Sequence, residues 1–124
     1  MSDEFIPYEQ ALALEELGFN QRCLAYYYKD DNSKSCYHAE LHTIVQPISS
    51  NDCVFTPLYQ QVFKWFREKY KLWGNIGMQG NNYYTLMVYK TLPECNLIYN
   101  NKGYETYEEA ELECLKKLIE IVKQ

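Results

Sequence analysis

Residues 102–124 read KGYETYEEAELECLKKLIEIVKQ, and the reading of this stretch decides the fold. Gly103 closes a strand and Thr106 caps a helix. Thr106 with Glu109 forms a capping box, in which a side-chain oxygen accepts from an amide that has no partner inside the helix. Beyond it, Ala110, Cys114, Leu118 and Ile121 fall on one stripe, widened by Leu115 and Val122. Apolar residues at that spacing predict an amphipathic helix with one buried face.

Working outward, two more helices follow from the same logic. In PYEQALALEELGF (7–19), Pro7 suits the first helical position and Gly18 suits the end, with Phe19 packing back. Leu14 and Leu17 face inward there with Ala11 or Ala13. In TPLYQQVFKWFREKYKLW (56–73), Thr56 is the expected N-cap and Pro57 the first helical residue. Tyr59, Val62, Phe63, Phe66 and Tyr70 keep helical spacing. The segments between predict strands. CLAYYY (23–28) and CYHAELHTIV (36–45) flank a turn rich in Asp, Asn and Ser and predict a hairpin. LWGNIGM (72–78), YYTLMVYK (83–90) and CNLIYN (95–100) are separated by the turn signals GNN and TLPE. QPISSNDCVFTP (46–57) is the longest connection and the expected hinge between an α-β-β half (1–50) and an α-β-β-β-α half (56–124). The expectation is one α+β domain over 1–124, order α-β-β-α-β-β-β-α, with three helices packed on antiparallel sheet through Leu14, Phe63, Phe66, Cys114 and Leu118. The two halves share a weak likeness, each leading from a Tyr-led helix into a hairpin.

Composition narrows the function classes. The net charge is −5 in 124 residues, and nucleic-acid affinity needs spare positive charge. The start, MSDEFIPYEQ, lacks the apolar segment of a signal peptide, and no apolar run approaches the roughly 20 residues that span a bilayer. The five cysteines, without C-x-x-C spacing, are expected to be free thiols in a reducing cytosol. Thirteen tyrosines are too many to bury with every hydroxyl partnered, so several are expected at the surface as contact area for a ligand or a protein.

From Thr56 onward, the α-β-β-β-α order and the closing GYETYEEAELECLKKL resemble the double-stranded RNA-binding domain in topology. That domain meets phosphates with a lysine-rich patch at the start of its last helix. Here those positions hold Thr106, Tyr107, Glu108, Glu109 and Glu111, so duplex binding does not carry over. YEQALALEELGF, PLYQQVFKWFREKY and YETYEEAELECLKKLIEIVK resemble, over nearly the whole chain, a large family of small uncharacterised proteins from phages and prophages of gut bacteria. That resemblance implies a phage or mobile-element origin and no site.

Three candidate sites stand out. Cys36, His38, Glu40 and His42 share one face of a strand and are all metal-ligand types. No second cluster with metal spacing accompanies them, so a solvated face is expected, with no metal and no cofactor. Lys64, Arg67 and Lys71 form a basic stripe beside Trp65, read either as a solvent face complementing acidic neighbours or as a small anion site. Tyr26 and Tyr28 share a face opposite Tyr27, available for stacking on a base or for cross-strand pairing in a sheet. No nucleophile context or Gly-rich phosphate loop is present, and no catalytic residue is assigned. The expected function is a non-enzymatic, phage-type accessory protein in the host cytoplasm. It takes a small anionic, nucleotide-like ligand through Tyr26, Tyr28, His42, Lys64, Trp65 and Arg67, to counter host defence. The alternative is docking on a protein partner through Tyr26, Tyr28 and Trp65, or on a second copy as a homodimer. Neither duplex nucleic acid nor membrane is an expected partner.

Overall fold

Tyrosine opens each described helix: Tyr8 begins α1 (Tyr8–Glu16), Tyr59 begins α2 (Tyr59–Tyr70) and Tyr107 begins α3 (Tyr107–Lys123). The computed structural model describes residues 5–21, 25–28, 36–38, 53–79 and 83–124. The strands are β1 (Ala25–Tyr28), β2 (Cys36–His38), β3 (Cys53–Thr56), β4 (Leu72–Gln79), β5 (Tyr83–Lys90) and β6 (Asn96–Tyr104). All described pairings are antiparallel, and the fold is α+β. The chain divides into two compact units, Met1–Tyr59 and Gln60–Gln124, each with one three-stranded sheet.

In the first unit, α1 ends as its sequence predicts. The Phe19 amide donates to the Leu14 carbonyl (3.0 Å) and the Gly18 amide to Glu15 (3.1 Å), the paired bonds of a Schellman motif. Pro7 stands one residue earlier than expected. It is the N-cap, in an extended conformation, and its carbonyl accepts from Ala11 (2.9 Å). The sheet order is β2-β1-β3. β3 comes from the stretch read above as a connection, and Thr56 ends that strand rather than capping α2. Its buried hydroxyl donates instead to the Ile6 carbonyl, which also accepts from the Tyr27 hydroxyl (3.0 Å). Phe5 bridges Leu58, and the Ile6 amide donates to Pro57 (3.0 Å). The segment ahead of α1 is thus tied to the segment after β3 by backbone and side chain together. Ile6, Ala11, Leu14, Tyr27 and Val54 are buried here.

The second unit runs from most of α2 through β4, β5, β6 and α3, with sheet order β4-β5-β6. The Thr106 hydroxyl accepts from the Glu109 amide (3.1 Å), as the capping signal predicts. Ala110, Cys114, Leu115, Leu118 and Ile119 are buried along α3, whereas Ile121 and Val122 are half-buried. Gly74 sets how closely helix and sheet approach. A Cβ there would lie 2.8 Å from Cys114 Sγ, 3.2 Å from Leu118 Cδ1 and 3.5 Å from Phe63 Cδ1. Direct partners on an antiparallel ladder share a face. Gly74 opposite Val88, with Leu72, Ile76 and Leu86, therefore lies on the helix side. Tyr84 joins them and meets the Tyr107 ring edge-on at 5.9 Å. Two register shifts mark β6. The extra residues are Gly103, with φ 96°, and Ile98. The Ile98 bulge reverses the alternation there. Tyr99 turns to α3, where Lys117 Nζ lies 4.4 Å from its ring centroid, while Leu97 pairs with Tyr89 on the other face.

Candidate functional site

That other face carries Trp73 and Asn75 from β4 and Tyr83, Thr85, Met87 and Tyr89 from β5, as the register requires. Trp73 and Tyr89 are direct cross-strand partners. With Asn75, Thr91 and Cys95 they line an open pocket of about 420 Å³, within the range that holds small ligands. Trp73 is 48% exposed, which is high for an indole in a regular strand, and Leu97, the β6 partner of Tyr89, is exposed as well.

A tight turn brings a cation to the Trp73 ring at the side of this pocket. α2 ends at Tyr70, and Lys71 takes a left-handed conformation, φ 59°, which non-glycine residues adopt at a cost. The Lys71 carbonyl accepts from the Thr91 amide (3.0 Å) and hydroxyl (3.3 Å), and Lys71 Nζ donates to the Glu68 carbonyl (3.1 Å). The chain therefore enters β4 directly, and Arg67 on the last turn of α2 reaches Trp73. Its guanidinium carbon lies 4.9 Å from the ring centroid, a cation–π arrangement. An indole with a guanidinium on one face and a pocket at its side is chemically suited to a planar anion. The ring stacks on the plane, and the fork of N–H donors meets a phosphate or carboxylate in two parallel bonds.

The residues singled out from sequence are placed as follows. Arg67 reaches the Trp73 ring beside the pocket but is not one of the residues that line it. Lys64 is exposed on α2 and does not line it. Trp65 corrects the expectation: it is buried, 6% exposed, with its ring edge-on to Phe66 (5.2 Å) and Tyr70 (5.5 Å). It stands three residues after Val62, so helical spacing alone could have assigned it to the core, leaving no ring surface for a ligand or a docking partner. Tyr26 is half-buried in β1, between Tyr37 of β2 and Phe55 of β3, and Tyr28 pairs with Cys53. Both belong to the first unit. His42 and Glu40 lie outside the described residues. Among the described residues no group of three or more His, Cys, Asp or Glu could hold a metal ion. The residues missed from sequence are Trp73, Asn75, Tyr89, Thr91 and Cys95. Strand alternation in LWGNIGM carries the signal for the first two, since Leu72 facing inward turns Trp73 and Asn75 outward.

A second pocket of about 300 Å³ is lined by Pro7, Tyr8, Glu9, Gln10 and Tyr27 in the first unit. The Tyr8 and Tyr27 rings meet edge-on at 5.5 Å. Among the described residues of its lining, Glu9 is the charged one. Two cysteines of the second unit have opposite characters: Cys95 is exposed, whereas Cys114 is buried on α3. Burial pushes the Cys114 thiol up to about 12, against a hydrogen bond to the Asn75 backbone that lowers it, so it stays protonated and inert. On α3, burial and then the Glu108 carboxylate raise Glu111 to about 7. No described helix is long and apolar enough to cross a membrane. No family model, curated protein or solved structure matches the chain.

Proposed function

We propose that the protein is a non-enzymatic binding protein that captures a small anionic, nucleotide-like molecule in the pocket on the open face of β4-β5-β6. The observation that carries the reading is the Arg67 guanidinium stacked 4.9 Å from the Trp73 ring centroid, beside a pocket lined by Trp73 and Tyr89. An aromatic ring stacks on a base with about 1–3 kcal/mol, and Arg67 meets the phosphate. The resemblance to phage and prophage proteins extends the proposal. In that setting the protein works in the host cytoplasm, and the captured molecule is a nucleotide signal of host immunity.

Thermal-shift screening against cyclic and linear nucleotides is the test, because a ligand that binds only the folded state raises the melting temperature by mass action. At least one nucleotide is expected to shift it, and Arg67→Ala or Trp73→Ala is expected to abolish the shift. If no nucleotide does so, the reading fails. The exposed Trp73 and Leu97 on this face would then favour docking on a protein or a second copy. Duplex RNA is expected to remain unshifted in electrophoresis at physiological salt, because the first turn of α3 presents Glu108 and Glu109 where phosphate would need cations. A sub-micromolar duplex complex would refute that.

A further inference from the structure

Resting on the nucleotide reading above, we propose that the ligand is a single-stranded oligonucleotide laid across the open face of β4-β5-β6, with bases on Trp73 and Tyr89 and phosphates at Arg67 and Lys102. The face is set apart by charge. β4, β5 and β6 contain no Asp or Glu, although the chain carries 17 acidic residues and a net charge of −5. α3, on the other side of the sheet, carries Glu108, Glu109, Glu111, Glu113 and Glu120. Glu68 and Glu94 stand outside the strands, on α2 and in the turn between β5 and β6. Lys102 is exposed on β6 and, like Arg67, forms no ion pair among the described residues.

The register lays these groups out in rows. Direct partners share a face, so Trp73, Tyr89 and Leu97 cross the sheet in one row, and Thr85 with Lys102 form another, four residues along β5. Between the two stand Asn75, Met87 and Asn100, all uncharged. Arg67 lies over Trp73, 4.9 Å from its ring centroid, so the two cations mark opposite corners, with the aromatic row at one end. Strand spacing and rise put Trp73 and Lys102 roughly 16 Å apart along that diagonal. A single strand is the polyanion that brings planar rings between its charges, and an open sheet with exposed aromatics stacks two or three bases. A duplex hides its rings in the stack, and an acidic peptide brings charge without them. A second copy offering the same face would bring Arg67 and Lys102 no carboxylate.

Isothermal titration of the full chain with 5′-phosphorylated thymidylates of one and three nucleotides tests this, with wild type and Lys102→Ala side by side. The trimer is expected to bind wild type at least about tenfold more tightly than the monomer, the scale of one further stacked base. Two phosphate contacts predict that log K for the trimer falls with log salt at a slope of about −1.4. Lys102→Ala is expected to bring that slope to about −0.7 and to leave the affinity for the monomer and the melting temperature unchanged. Equal affinity for monomer and trimer, or a slope that Lys102→Ala does not move, overturns the oligonucleotide proposal and leaves nucleotide capture standing. If neither thymidylate binds, the oligonucleotide proposal falls, and the thermal-shift screen decides nucleotide capture separately. Binding of polyglutamate in their place would assign the face to an acidic protein and overturn it as well. The comparison of lengths is read on wild type, so a folding defect cannot obscure it.

Discussion

On the face of β4-β5-β6 that meets α3, Leu72, Ile76, Leu86 and Val88 are joined by Tyr84 and Tyr99, with Gly74 bare beneath Cys114 and Leu118. On the opposite face the same strands carry Trp73, Asn75, Met87 and Tyr89. The helix-covered face is aliphatic and close-packed at its centre, where volume decides. The other is aromatic and amphipathic, where a ring can stay half in water with its polar edge satisfied. A sheet needs only one face buried to be stable, so the second is free to carry chemistry. The difference teaches where to look: recognition is sought on the side chains that packing did not use.

The comparison breaks first, if it is wrong, on the packed face. Leu118→Ala is expected to cost about 2–5 kcal/mol, because Leu118 is fully buried. Chemical denaturation measures it, and a cost below about 1 kcal/mol would mean that α3 does not seal this face. Ligand affinity per folded molecule should not change.

Gly74→Ala sharpens the same point. The added methyl meets Cys114 Sγ at 2.8 Å and is expected to destabilise by about 1–3 kcal/mol as overpacking. Combining it with Cys114→Ala should cost less than the two single changes added, since each relieves the other. Strict additivity in the denaturation midpoints would show that helix and strand do not meet as described.

A third test uses pH. Glu111 holds its proton up to about pH 7 in the fold, mainly through burial and then through Glu108. In the unfolded chain it releases the proton near the ordinary carboxylate value of 4.5. The folded state therefore binds more protons between those values, and stability falls as pH rises across that window. The contribution is complete below pH 4.5. Because Glu111 is partly open to solvent, the loss is on the order of 1 kcal/mol. Glu111→Gln should flatten the slope of melting temperature between pH 4.5 and 7; an unchanged slope would assign it to other groups.

The smallest stability effect belongs to the open face. Trp73→Ala is expected to cost under about 1 kcal/mol, the worth of its exposed cation–π contact, yet to remove ligand binding. A larger loss would make Trp73 a core residue and merge the two faces that the comparison separates.

Much of this architecture was legible in the sequence because it is local. The Thr106 cap and the Schellman close at Gly18 and Phe19 each depend on residues at most five apart. β5 runs over the residues its alternation predicts. β3 was not legible as a strand. Cys53–Thr56 is four residues long, follows a Ser-rich stretch and owes its existence to pairing with β1. The likeness of the two halves also ends at pairing order, since β1 is central in its sheet and β5 in the other.

What the sequence by itself determined is the three helices and the strands of the second unit with their inward stripes, because periodicities of 3.6 and 2 follow from backbone geometry alone. It also delivered Arg67 as a candidate cation. What only the tertiary structure decided is which aromatic ring Arg67 meets. Trp65 and Trp73 are both near it in the chain. Burial takes Trp65 into the core, and the left-handed turn at Lys71, held by Thr91 just past the end of β5, carries Trp73 back beneath the guanidinium. The Ile98 bulge likewise leaves Leu97 beside Tyr89 while sending Tyr99 to the helix. Both outcomes depend on contacts between residues about 20 or more apart or on a strand register, and such pairings are fixed when the sheet assembles and not by any local preference of the chain.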